Sequence, residues 1–284
     1  MKKVILSSDS TSDLGDELIQ MHDIHIVPLY IHLDVKEYKD GIDINPDMIY
    51  EYHNKNGVLP TTAAPNVKDY LDHFKKWNKD EYEIIHFTIG SSLSSSYQNA
   101  LIAAEELENV YIVDSYNLST GIAMLILEVA KLREKGISAE QIFNKVCDLR
   151  SKIVTSFVVD SLLYLKEGGR VSTLQAMGAN LLNIKPSIIV RNDKYGAMEV
   201  GTKYRGNTLK VLQKYISELF NDAKNVNEDI AFITHSGTTE ENLEFVKNEL
   251  SKYKNFKNIY ITRTGCTISS HCGYNTIGII YKKN

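Results

Sequence analysis

The first 135 or so residues alternate short apolar strands with amphipathic helical stretches, which restricts the chain to an α/β architecture built on a mostly parallel sheet with helices on both faces. Residues 4–8 read as a short apolar strand, and Ser10-Thr11-Ser12-Asp13 supply capping residues for a helix that runs to about residue 21. A second strand is expected over 24–33, helices over 47–55 and 67–77, and a third strand over 83–89. A serine-rich segment then leads into a helix over 97–107. A fourth strand follows over 110–113, then a long helix over 120–135 that stops at Gly136.

The pattern changes after about residue 150. A strand is expected over 155–159, and 185–191 with 197–203 form a hairpin around Asn192-Asp193-Lys194-Tyr195-Gly196. Helices over 208–223 and 239–253 then alternate with strands over 230–234, 258–262 and 276–281. A hairpin mixed with helices predicts a second α/β domain with a mixed sheet. A chain of 284 residues exceeds what one core usually spans. Two domains are therefore expected, 1–152 and 153–284, with a ligand cleft between them.

Charge and hydropathy exclude several functions. The formal net charge is −4 and the two signs are interspersed, so the basic footprint of a nucleic-acid binder is missing. No polybasic cluster suits an anionic membrane surface. The longest strongly apolar stretch, 122–130, is broken by Glu128 and falls short of the roughly 20 residues that span a bilayer. Asp9 ends the first apolar run too early for a signal peptide. The expected protein is cytoplasmic and not membrane-embedded. The cysteines, Cys147, Cys266 and Cys272, are odd in number and suit a reducing compartment. Cys266 and Cys272 flank His271, but no second Cys/His cluster completes a metal site. No metal and no cofactor are expected.

No phosphate loop, dinucleotide fingerprint, nucleophile elbow or HExxH pair occurs. What stands out is hydroxyls at strand ends. The first strand ends in Ser7-Ser8-Asp9-Ser10-Thr11-Ser12, and the third in Ser91-Ser92-Leu93-Ser94-Ser95-Ser96 before a helix. In open α/β sheets ligands bind beyond the carboxyl ends of the strands, where helix N-termini present free N–H groups and a partial positive charge. Such a site suits one small anion, a carboxylate or a phosphate. A third cluster, Pro60-Thr61-Thr62-Ala63-Ala64-Pro65, reads as a stiff loop. A fourth runs from Thr264 to Gly273 and contains His271, the one histidine of eight set among glycines and hydroxyls near a strand end.

Taken together these segments resemble the DegV family. Asp9-Ser10-Thr11-Ser12-Asp13-Leu14 matches its opening DSTSDL, and Thr62-Ala63-Ala64-Pro65 stands where the family usually reads TSQP. Leu93-Ser94-Ser95-Ser96-Tyr97-Gln98 resembles its LSGTYQ. Asp114-Ser115, Leu165-Lys166-Glu167-Gly168-Gly169-Arg170-Val171-Ser172, Lys185-Pro186 and His271-Cys272-Gly273 follow in order. The resemblance implies two α/β domains with a long-chain fatty acid such as palmitate buried between them. Some members of that family serve as the carrier subunit of a fatty acid kinase, whose separate catalytic subunit phosphorylates the carboxylate, which makes such a kinase a candidate partner.

On that resemblance the carboxylate-binding residues are Thr62, Ser94 and His271, with Ser95 and Ser96 as neighbours. The partner-facing arginine falls on Arg205, and Arg170 and Lys203 extend that basic surface. Ala63 and Ala64 replace the usual Ser-Gln, and Ser95 replaces a glycine. The apolar segments 26–31 and 122–130 are candidate walls for the tail. Three other functions stay open: a serine hydrolase with His271 as base and Asp9 or Asp114 as orienting acid, a phosphate-ester-binding transferase, and a protein-interaction module.

Overall fold

The computed structural model describes residues 2–77, 80–171, 184–221 and 223–284. Ser172, the last residue of the Gly-Gly-Arg motif, lies outside the described residues. Strand β1 (Lys3–Asp9) runs parallel to β2 (Ile24–Val27) on one side and β6 (Tyr82–Thr88) on the other, with β7 (Val110–Asp114) beyond β6. The chain leaves β1 first toward β2 and later toward β6 and β7. The order therefore reverses between β1 and β6, where a parallel sheet opens a crevice at its carboxyl edge.

Both faces of this sheet are covered, as its nearly continuous apolar strands require. Ile5, Ile84 and Ile112 face one side and pack with Tyr70 and Phe74 of α3 (Val67–Phe74) and Ala100 and Ala103 of α4 (Ser96–Ala104). Leu6, Ile85, Phe87 and Val113 face the other side, toward α5 (Thr120–Glu134). The alternation follows from the two-residue period of a strand. Helices α1 (Asp16–Met21) and α6 (Ala139–Leu149) complete this part.

Residues 153–284 form a six-stranded mixed sheet ordered β10 (Ala197–Tyr204), β9 (Lys185–Arg191), β8 (Ile153–Val158), β13 (Ile277–Lys283), β11 (Val226–His235) and β12 (Asn258–Arg263). Only β11 and β12 pair in parallel. The β9–β10 hairpin turns through Tyr195 and Gly196, both with positive φ. Helices α8 (Thr208–Asn221) and α9 (Glu240–Leu250) pack on one face. The other face packs on α5.

That position explains the composition of α5. Its residues from Thr120 through Leu127, with Val129 and Ala130, are all buried, because strands of both sheets contact the helix. A helix enclosed on all sides must be apolar on all sides. Segment 122–130 is therefore the shared core of the molecule, not a wall of the ligand cavity described below.

Several elements differ from the sequence expectation. The strand expected over 24–33 is two strands in different sheets. Pro28, which has no N–H to donate, separates β2 from β3 (Tyr30–Leu33). Strand β3 joins β4 (Lys36–Lys39) and β5 (Thr61–Ala63) in a small antiparallel sheet. Helix α2 (Pro46–Asn56), capped by Asn45, packs beside it. Thr62 thus stands on a strand opposite Ile31, not in a loop. Helices α6, α7 (Leu163–Gly168) and α10 (Cys266–Cys272) are further additions, so His271 sits on a helix.

Candidate functional site

Segments distant in sequence meet beside the carboxyl edge of the parallel sheet and line a cavity of about 340 Å³. That volume falls in the range of small-ligand pockets, roughly 300–1,000 Å³. Thr62 comes from β5, Ser94 and Ser95 from the segment after β6, and His271 and Cys272 from α10. Leu29, Ile89, Leu93, Leu118, Met198 and Ile268 give it apolar walls. Of the segment 26–31, Leu29 alone belongs to the lining.

Thr62 and His271 touch directly: Oγ1 lies 2.9 Å from Nε2 across 209 residues of sequence. The contact depends on a glycine. A Cβ built on Gly168 would stand 2.3 Å from His271 Nδ1, so any side chain there displaces the ring. The next glycine has a different task. Gly169 adopts φ +67° and closes α7 with bonds from its N–H to Leu165 and Lys166, a left-handed position that glycine takes at little cost. The Gly-Gly pair thus combines a close approach with a helix stop.

His271 Nδ1 is buried without a partner. Burial, and to a lesser degree the Arg170 guanidinium, hold the imidazole pKa down to about 4. The ring is therefore neutral near pH 7. With its proton on Nε2 it donates to Thr62 Oγ1 and leaves the Thr62 hydroxyl proton free to point elsewhere.

Ser94 lies just before α4. Its Oγ accepts the Ser96 N–H at 3.2 Å and pairs with Ser96 Oγ at 3.0 Å. Ser95 is exposed and lines the cavity, whereas Ser96 is buried beneath and supports Ser94. Ala63 and Ala64 also line the wall, leaving it smooth and apolar beside Thr62.

Arg170, expected on the basic surface, also reaches the cavity. It is exposed, and Nη1 donates to the Gly168 carbonyl at 2.6 Å. Lys203 and Arg205 are exposed and belong to neither this cavity nor the adjoining one. That adjoining cavity, about 460 Å³, shares Thr62, Arg170 and His271 with the first.

The hydroxyls after β1 do not reach the cavity. Ser7 Oγ bonds His73 Nε2 at 2.8 Å and His86 Nδ1 at 2.9 Å. Asp9 accepts from the Tyr70 hydroxyl at 2.7 Å, His86 Nε2 at 3.2 Å and the Ile89 N–H at 3.2 Å. Ser10 Oγ donates to Asp40 and accepts from the Leu29 N–H. This segment builds the scaffold.

The acids proposed to orient His271 are also engaged elsewhere. Asp114 accepts the N–H groups of Ser91 and Tyr116. Among the described residues no carboxylate bonds His271, so the triad that a hydrolase requires is not assembled around it.

A larger groove, about 710 Å³, runs beside β8, β9, β10 and α8. It contains none of the predicted site residues, and its Arg191 is paired with Asp193 and Glu199. The smaller cavity instead sets a few unlike polar groups among apolar walls, the composition typical of small-ligand pockets.

Asp40 and Asp13 also shape the site, and the sequence reading missed both. Asp40 accepts the N–H groups of Cys266 and Thr267, and Asp13 accepts that of Gly265. Asp13 belongs to the opening motif. Asp40 carries no local signal, since its partners lie 226 and 227 residues away.

No helix among the described residues is long and apolar enough to cross a membrane. A family model described as "Uncharacterised protein, DegV family" matches residues 3–284. A DegV domain-containing protein of Clostridium perfringens is 32% identical, covering 99% of this chain and 98% of its own. One of Staphylococcus aureus is 29% identical over the full length of both.

Among solved structures, a fatty-acid-binding DegV family protein of Thermus thermophilus superposes with a TM-score of 0.90 at 28% identity, covering 99% of this chain and 100% of its own. A stearic acid-binding protein of Eubacterium ventriosum gives 0.82 at 29%, covering 100% and 98%. A Thermotoga maritima protein described as revealing fatty acid binding function gives 0.86 at 25%, covering both chains fully. With the family model matched from end to end, the chain belongs to the DegV family.

Proposed function

We propose that the protein binds a long-chain fatty acid such as palmitate in the cleft between residues 1–152 and 153–284. Thr62, Ser94 and His271 hold the carboxylate, and the tail lies along Leu29, Ile89, Leu93 and Ile268. The observation that carries this reading is that those three polar groups line one cavity whose other walls are largely apolar, with Thr62 and His271 in contact. The solved relatives that bind fatty acids support it.

Magnitudes agree with the division of labour. A C16 tail gains about 12 kcal/mol gross at roughly 0.8 kcal/mol per buried methylene. The head group need only avoid an unpaired buried charge. Hydroxyl donors suffice for that, and the neutral His271 keeps the Thr62 proton free for the ligand.

The protein acts as a carrier without catalysis of its own. Among the described residues no acid orients His271, and the absence of a cation within Ser91–Ser96 argues against a phosphate-ester transferase. The exposed Lys203 and Arg205 are the surface on which a fatty acid kinase would dock, in the reducing interior that the three free thiols suit.

Native mass spectrometry of protein purified from cells tests the central point. A co-purified mass matching a C14–C18 acid is expected, and protein that neither carries nor takes up palmitate overturns the reading. Incubation with ATP, magnesium and palmitate should give no acyl phosphate unless a kinase subunit is added. Charge reversal at Arg205 should then abolish its formation while leaving palmitate affinity unchanged.

A further inference from the structure

The helix that carries His271 begins in an unusual way. Helix α10 has seven residues and starts at Gly265, which has no side chain to cap it. A helix of this length is not stable by itself. Its first N–H groups are instead satisfied from the other half of the chain. Asp13 Oδ1 accepts the Gly265 N–H at 2.7 Å. Asp40 Oδ1 accepts the Cys266 N–H at 2.7 Å, and Oδ2 accepts the Thr267 N–H at 3.1 Å and its hydroxyl at 2.6 Å. Ser10 Oγ adds a fourth bond to Asp40 at 3.0 Å.

Both carboxylates are buried, at 3% exposure for Asp40 and 6% for Asp13. Gly265 lets them converge: a Cβ there would stand 3.1 Å from Asp40 Oδ1 and 3.3 Å from Asp13 Oδ1. Neither acid lines the cavity, but the helix they start contributes Thr267, Ile268, His271 and Cys272 to its wall.

We propose that Asp40, assisted by Asp13, is the positioning residue of this site: it fixes the start of α10 against the small sheet that carries Thr62, and so sets the meeting of His271 with Thr62. The proposal rests on the fatty-acid reading for its importance to binding, but its geometry does not depend on any ligand. Helix α10 is one and a half turns from Asp40 to His271. A shift at its first residue is therefore transmitted to the ring with little to absorb it. Asn in place of Asp40 keeps the shape but presents an amide to backbone donors, which repels at least one of the bonds.

The experiment follows the imidazole of His271 by NMR titration in the full chain without added lipid, beside palmitate affinity. In the parent, burial and the nearby Arg170 hold the His271 pKa down to about 4. Asp40→Asn is expected to move it toward the ordinary value of roughly 6.5 and to weaken palmitate at least tenfold. Asp43→Asn, at a neighbouring acid that only receives the Lys39 N–H, should leave both unchanged. A folded Asp40→Asn protein with the parental His271 titration overturns the proposal.

If Asp40→Asn does not fold, Gly265→Ala decides. It crowds both carboxylates without removing either, and should shift His271 in the same direction by less; no shift overturns the proposal. A parent that binds no palmitate would sink the proposed function alone, since the His271 titration still reads the position of α10.

Discussion

Two strand ends of this protein have nearly the same composition and opposite fates. Strand β1 closes in Ser7-Ser8-Asp9 and the chain runs on through Ser12, and after β6 come Ser91 to Ser96. At the first, Ser7, Ser10 and Asp9 are consumed by His73, His86, Tyr70, Asp40 and backbone of the next segments, and the Thr11 and Ser12 hydroxyls are buried without a partner and away from the cavity. At the second, Ser94 bonds only its neighbour Ser96 and keeps a face toward an apolar cavity. A hydroxyl can serve a ligand where the fold both leaves bonding capacity unused and opens it to a cavity. It is scaffold where the fold fills that capacity. Composition does not distinguish the two.

The strongest test of that contrast is Asp9→Ala. It strands the Tyr70 hydroxyl, His86 and the Ile89 N–H in the core, and should cost about 3–5 kcal/mol of unfolding free energy in urea titration. A loss under about 1 kcal/mol would mean that the first strand end is not scaffold.

Next in size are Thr62→Ala and Ser94→Ala. Each should weaken palmitate binding by about 1–3 kcal/mol, the cost of leaving a buried anion short of a donor, with little change in the urea midpoint. Calorimetry decides between this and parental affinity in both variants, which would move the carboxylate elsewhere.

Asp13, which follows the first strand end and bonds Ser119 and the Gly265 N–H, gives a pH signature. Burial first, and the nearby Asp40 last, push its pKa up to about 8, against the lowering effects of Ser119 and the Gly265 N–H. Between the unfolded value of roughly 3.9 and that level the folded state binds the extra proton. Its contribution to stability therefore falls as pH rises across this window and levels off above it. Asp13→Asn, which mimics the protonated acid, should flatten the decline in melting temperature between pH 5 and 8. An unchanged slope would assign the decline to other groups.

The smallest effect concerns His271. A bound carboxylate raises its pKa above the free value of about 4. The resulting gain in affinity is complete below that free value and is lost as pH rises through the bound value. Palmitate affinity should thus strengthen modestly from pH 8 toward 5, lower than the window of an unperturbed histidine. His271→Ala should remove the trend. Identical profiles would separate His271 from the head group.

Much of the architecture was legible in the residues. The two-residue alternation of Leu6, Ile85 and Phe87 against Ile5 and Ile84 dictates a sheet covered on both faces, and the hairpin around Tyr195-Gly196 announces the mixed sheet. The ordered motifs named Thr62, Ser94 and His271, and the structure brings them to one cavity. Strand β4, Lys36-Glu37-Tyr38-Lys39, was not legible, because an edge strand with three charged residues has no apolar face to reveal it. Helix α10 was hidden for a related reason: its first backbone donors are satisfied by side chains more than 200 residues away.

The sequence by itself determined the fold class and the set of polar residues available to a ligand, because hydrophobic period and local capping are properties of neighbouring residues. Tertiary structure alone decided which hydroxyls remained free and that Arg170 joins the cavity. It also decided that α5 is core and that His271 is a neutral ring held against Gly168. Those outcomes depend on burial and on partners that only folding brings within hydrogen-bond distance, so no local pattern encodes them.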